Sequence, residues 1–187
     1  VNTGDREVIV NNSTISSSSI SSFVYNGDSS LTLFDSQSEK IIQYNYETDT
    51  QNVIANNFRA GSGETFNLSS YRGSWIATDP STDGLYVLQN SDMKIFKAAK
   101  TSGDRTLVNQ MLNVMFPVYD PQGLAIDSSG SFAYFTCDST NGLMKIDLSQ
   151  TDLSYNYELV TQDNTNLSWP TAVVLNSDGT SAFVSDT

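Results

Sequence analysis

The sequence contains no histidine, one cysteine, four prolines and only nine lysines and arginines among 187 residues. Without histidine it lacks the usual general base, the commonest zinc ligand and the Ser-His triad in its ordinary form. The single cysteine, Cys137, cannot close a disulfide within the chain, so cysteine usage leaves the redox compartment open. Nine basic residues against 21 acidic ones give a net charge of −12, which repels nucleic acid and anionic lipid, and neither is expected as a partner. Apolar runs are short and end at polar or turn residues, far below the roughly 18 residues of a membrane span. The chain starts at Val1 without a charged-then-apolar leader, as expected of a processed product or an excised segment.

What the sequence does have is a repeat. Four segments follow the form apolar run, Asp or Asn, turn, apolar run: FVYNGDSSLTLFD (23–35), IATDPSTDGLYVLQ (76–89), LAIDSSGSFAYFTCD (124–138) and VVLNSDGTSAFVSD (173–186). The polar residues closing the first runs, Asn26, Asp79, Asp127 and Asn176, are 53, 48 and 49 positions apart. Those closing the second runs are read as Asp35, Gln89, Asp138 and Asp186, with separations of 54, 49 and 48. A third run follows in IIQYNY (41–46), MKIFK (93–97) and LMKID (143–147), and a fourth in NVIA (52–55), TLVN (106–109) and ELVT (158–161). EVIV (7–10) matches the fourth run, so residues 1–12 are expected to hold the last strand of a preceding unit.

Runs rich in Val, Ile, Phe and Tyr, punctuated by Gly, Asn, Asp and Ser, are strands joined by tight turns. Four strands in a repeat of about 50 residues make a propeller blade. First runs such as LAI and VVL are apolar at consecutive positions, which predicts strands covered on both faces. In the third runs Met93 and Ile95 alternate with Lys94 and Phe96, which predicts an outer strand with one face near water.

PQGLAIDSSGSFAYFTCDSTNGLMKIDL (121–148) resembles a repeat of the NHL type, and PTAVVLNSDGTSAFVSDT (170–187) resembles the related YVTN type. The resemblance implies a ring of six or seven blades. The expected fold is therefore all-β, one partial β-propeller over 1–187, with blades at 20–56, 73–110 and 121–162 and the first two strands of another at 170–187. The rest of the ring is expected on the same polypeptide or on a partner, because an open fragment would expose blade faces and a strand edge.

Candidate sites are few. The Asx-Gly turns after the first strands suit hairpin chemistry; calcium ligation, which needs several converging oxygens, is the sharper alternative, and the lack of EF-hand spacing weighs against it. Asp35, Asp138 and Asp186 are expected to accept hydrogen bonds from the next turn. Cys137 reads as a small core side chain. Trp75 and Trp169 read as packing residues, with a ligand-facing indole as the alternative. The Ser-rich stretch 13–22 reads as a solvated connector.

Asn-X-Ser/Thr motifs occur at Asn11, Asn12, Asn67 and Asn166, and the last three fall in loops that lead into a blade. They are the expected glycosylation sites and point to a secreted or extracellular glycoprotein. No catalytic, cofactor-binding or metal-binding residue is assigned. The expected function is a structural, adhesive or ligand-binding scaffold that meets a protein or glycan through its loop faces. Enzymes on similar propellers, such as peptidyl amidating lyases, rely on histidine and metal, which leaves calcium-dependent hydrolysis or lysis of the gluconolactonase kind as the enzymatic alternative, with catalytic residues mostly beyond these 187.

Overall fold

The computed structural model describes residues 19–56, 61–63, 74–90, 93–110, 120–150, 157–162 and 167–187. The strand expected within residues 1–12, and Asn11, Asn12, Asn67 and Asn166, lie outside them. The first sheet holds β1 (Ile20–Tyr25), β2 (Ser30–Asp35), β3 (Lys40–Asn45) and β4 (Thr50–Asn56) in that order. The second holds β5 (Ser74–Thr78), β6 (Gly84–Gln89), β7 (Lys94–Ala99) and β8 (Arg105–Gln110). The third holds β9 (Pro121–Ile126), β10 (Phe132–Cys137), β11 (Gly142–Asp147) and β12 (Tyr157–Gln162), and β13 (Pro170–Leu175) pairs with β14 (Ala182–Asp186).

Every ladder between these strands is antiparallel and joins neighbours in sequence, the local geometry that tight turns dictate, and one isolated parallel bridge links Gly63 to Arg105. The first turn closes alike in all four units. The backbone N–H of Asn26, Asp79, Asp127 and Asn176 donates across the turn at 3.0 Å, to Ser30, Gly84, Phe132 and Ser181 respectively. The first strands β1, β5, β9 and β13 pack one against the next, so the sheets are arrayed about a common axis as propeller blades.

Alternation along each strand sends successive side chains to opposite neighbours. In the second sheet, Ile76, Leu85, Val87 and Phe96 pack with Phe34 and Ile41 of the first. Ala77, Tyr86, Leu88 and Ile95 turn the other way, against Phe135 and Met144 of the third. Both faces of a blade are thus core, and a fully buried Leu or Phe here is worth about 1.5–3 kcal/mol.

Three sequence expectations are corrected. The third strands are not half-wet: Ile95, Phe96 and Ala98 are all buried, because a lysine among them ends at the blade edge while its neighbours meet a sheet on either side. Burial peaks in the second strands, β2 being buried throughout, while β1 is largely accessible at the axis. The third unit is also displaced by one residue. Asp35 pairs with Lys40, Gln89 with Lys94 and Cys137 with Gly142, so Cys137, not Asp138, is the counterpart of Asp35. Asp138 instead opens a 3-10 turn over Asp138–Thr140. Cys137 is fully buried within the packing between second and third sheets, the core role expected of it.

Candidate functional site

A four-stranded meander places the β1–β2 and β3–β4 turns, and their equivalents, on one rim. The other rim carries the β2–β3 turns and the connectors into each new blade. The polar residues of both rims are largely consumed by local hydrogen bonds.

Asp79 and Asp35 are the buried carboxylates among the described residues, and Asp79 has the larger set of donors. Its carboxylate accepts from the Ser81 N–H (2.9 Å), the Ser81 hydroxyl (2.7 Å), the Thr82 hydroxyl (2.7 Å) and the Lys97 ammonium (2.9 Å). Burial alone would raise its pKa, but these four donors outweigh burial and hold the carboxyl far below its ordinary range. Lys97 also lies 4.7 Å from the centroid of the Tyr86 ring. Burial works against its ammonium, yet Tyr86 and Asp79 together raise the pKa above the ordinary lysine value.

The other turn carboxylates follow suit. Asp127 accepts from the Phe132 N–H at 2.7 Å and from the Ser129 hydroxyl, Asp147 from the Ser149 N–H at 2.8 Å, and Asp178 from the Thr180 N–H at 2.9 Å. Asp35 caps its own turn through the N–H groups of Gln37 and Ser38 and the Ser38 hydroxyl. Asp186 differs from the expectation: it reaches back to the preceding connector and accepts from the N–H groups of Ser168 (3.1 Å) and Trp169 (2.6 Å). Ser168 is the third residue of the Asn166 motif, so Asp186 anchors the end of that loop. Among the described residues, no group of three or more His, Cys, Asp or Glu side chains is placed to hold a metal ion.

The tryptophans part company. Trp75 packs against the core between second and third sheets, whereas Trp169 is 60% exposed on the connector rim. Register explains the split: Trp75 opposes Leu88 within β5–β6, while Trp169 stands one residue before β13.

One feature occurs once. In the second and third blades an aromatic residue opposes a lysine across the second and third strands, Tyr86 to Lys97 and Tyr134 to Lys145. The first blade has Thr32 opposite Gln43 at the same register. Thr32 is fully buried there, while Gln43 borders a polar depression of about 230 Å³ beside β3 and β4. Its lining was not singled out from the sequence; the signal was there in the constant offset between the paired residues, but only a strand register gives that offset meaning.

Each end sheet exposes apolar side chains, although Leu31, Leu33, Ile42 and Tyr44 of the first sheet are buried. Phe23 is 64% exposed, although Ile76, Leu124 and Val173, at the same position of the other blades, are 3%, 7% and 4% exposed. On the last sheet Val174 and Phe183 oppose one another and are 60% and 64% exposed.

No protein-family model and no curated protein matches the chain by sequence. Among solved structures it is similar to a chain of a nidogen/laminin complex (TM-score 0.63, 16% identity, 89% of this chain and 56% of that one). It is also similar to a catalytically inactive histidine-to-alanine variant of virginiamycin B lyase from Staphylococcus aureus with quinupristin (TM-score 0.59, 14% identity, 90% and 49%). A third match is a protein of unknown function from Bacteroides thetaiotaomicron (TM-score 0.61, 11% identity, 90% and 38%). These matches agree with the blade geometry in giving a β-propeller fold. The chain spans about half the length, or less, of the structures it matches.

Proposed function

We propose that this chain is part of a secreted, N-glycosylated β-propeller, built from repeats of the NHL and YVTN kind, that serves as a binding scaffold for a protein or glycan partner. The observation that carries this reading is the saturation of the turn carboxylates. A carboxylate such as Asp79, already accepting from four local donors, has little left for proton transfer or metal ligation and works instead to rigidify its turn. Rigid blades with variable connectors suit partner binding. The similarity to a chain of a nidogen/laminin complex is in keeping with it, while the lyase similarity contributes fold only: that enzyme is inactive when a histidine is replaced, and this chain has none.

Secretion through a eukaryotic host tests the glycoprotein reading. Treatment with a peptide N-glycosidase should increase gel mobility, and Asn67→Gln and Asn166→Gln should each remove one step of that shift. A secreted chain whose mobility ignores the enzyme would overturn it.

The exposed positions on the end sheets support a second element of the proposal: both faces are covered, in the working protein, by further sheets of the same four-stranded kind. The repeat itself specifies that occupant, since the counterparts of Phe23 are buried by a neighbouring blade wherever one is present. In the 187-residue chain, Phe23→Asp should change stability by no more than about 0.5 kcal/mol, as for a surface substitution. In a protein where further sheets cover that face, the same change should cost about 3 kcal/mol, as for a charge forced into a core. Chemical denaturation of both forms reads the difference; equal small effects would show that face to be free surface.

A further inference from the structure

We propose that the depression in the first blade is a binding site for a neutral, hydroxyl-rich ligand, a single saccharide unit. This rests on the binding-scaffold reading and gives it a ligand class. In the second blade the lysine at this register covers an aromatic ring, Lys97 on Tyr86 at 4.7 Å; in the third, Lys145 lies 4.0 Å from Phe132. In the first blade Gln43 takes the place of the lysine and lines the depression, with Thr32 fully buried opposite it.

The chemistry of the lining selects the ligand. Four carboxamides, Gln43, Asn45, Gln51 and Asn52, stand around it with the hydroxyls of Ser30 and Thr50. A carboxamide presents a donor and an acceptor side by side, which is what a vicinal diol presents in return. Asn45 is partly committed, its Oδ1 accepting from the N–H groups of Glu47 (3.0 Å) and Thr48 (2.9 Å). Gln43, Gln51 and Asn52 make no side-chain hydrogen bond among the described residues and are free to meet a ligand. Ser30, buried, receives the Asn26 amide at 2.9 Å and donates to Asp28 at the rim, so the floor is fixed before anything binds.

Charge excludes the alternatives. No cationic side chain lines the depression, Asp28 adds a negative charge at its rim, and the whole chain carries −12, so uronates, phosphates and sulfates are repelled. The Lys100 ammonium is engaged by Asp83 and Asn26, each at 3.3 Å. A lone surface carboxylate holds a cation only weakly. A volume of about 230 Å³ falls below the range of about 300–1,000 Å³ typical of drug-sized pockets and admits one sugar ring. With no aromatic wall for the ring to stack on, the dissociation constant should be about 1 mM.

The test is an amide-resolved NMR titration of the 187-residue chain with galactose, mannose and N-acetylglucosamine up to about 50 mM, some fifty times that constant, with glucuronate as the charged control. At least one neutral sugar should shift amides of β3 and β4 saturably, and glucuronate should not. Asn52→Ala and Gln43→Ala should each weaken binding about tenfold, the loss of one hydrogen bond of about 1.4 kcal/mol. Gln43→Lys, which restores the residue type of the other blades, should abolish it with the melting temperature unchanged. No shift from any sugar, equal shifts from glucuronate, or undiminished binding by Gln43→Lys would each overturn the site while leaving the scaffold reading intact. Conversion of the sugar into new resonances would keep the site and overturn the scaffold reading.

Discussion

Gly123→Ala should lower the stability of the chain by about 3 kcal/mol, a large effect for so small a change. Gly123 sits at a bulge in β9, where Gly123 and Leu124 lie between the pairs Gln122–Thr136 and Ala125–Tyr134, and its φ is +61°. An L side chain at that angle costs about 1–2 kcal/mol by itself. The larger part is steric. A Cβ on Gly123 would stand 2.7 Å from the Ala172 Cα and 2.8 Å from the Val173 nitrogen, both backbone atoms of the next first strand. Those atoms cannot swing aside as a side chain would, so β13 must move away from β9 and uncover the packing of Val173, now 4% exposed. For a chain of this size the loss corresponds to a fall of about 10 °C in melting temperature. Gly27→Ala is the control. Its φ is +86° and nothing lies within 4 Å of the added carbon, so it should lose only the conformational part. Equal melting temperatures for the two variants would mean that β9 and β13 do not approach as described.

The bulge illustrates what one sequence does and does not reveal. The polar residues closing the first strands were legible because hairpin chemistry is local: each opens a turn of its own, and the backbone hydrogen bonds that close those turns are alike in all four units. The relation of third strands to solvent was not, because Lys94 and Lys97 suggest a wet face while the neighbouring sheets bury Ile95 and Phe96 from both sides. Asp138 was mistaken for a counterpart of Asp35 because a carboxylate one residue downstream preserves the visible rhythm; only the Cys137–Gly142 pairing assigns the place to a thiol. The depression beside Gln43 is a difference between strand pairs, and it acquires meaning only when Thr32–Gln43 is laid over Tyr86–Lys97. Repetition marks architecture, and the departure from repetition marks the candidate site.

Asp79→Ala should cost about 2 kcal/mol at neutral pH, the loss typical of hydrogen bonds to a charged acceptor. The Asp79 side chain is fully enclosed, and the substitution removes the shared acceptor of the Ser81 and Thr82 hydroxyls and of the Lys97 ammonium, which water then solvates in its place. Lys97 is partly exposed, so water screens some of the ionic contribution, and that portion should shrink further in about 1 M salt. The turn hydrogen bonds should persist there. The acid dependence follows from the sign of the shift. The folded-state pKa of Asp79 lies below the ordinary value of 3.8, so the folded form binds its proton less readily than the unfolded chain. The stabilisation is therefore fully present above that ordinary value and drains away as pH falls beneath it toward the depressed one. Asp79→Asn, which cannot ionise, should lack this contribution at neutral pH and lose correspondingly less on acidification. Denaturant unfolding at pH 7, 5, 4 and 3, with pH 4 near the ordinary carboxyl pKa, should show the gap between the two proteins constant at first and closing below pH 4. A gap unchanged at pH 3 would mean that the carboxylate is not the ionised centre of this turn, and the saturation on which the scaffold reading stands would go with it.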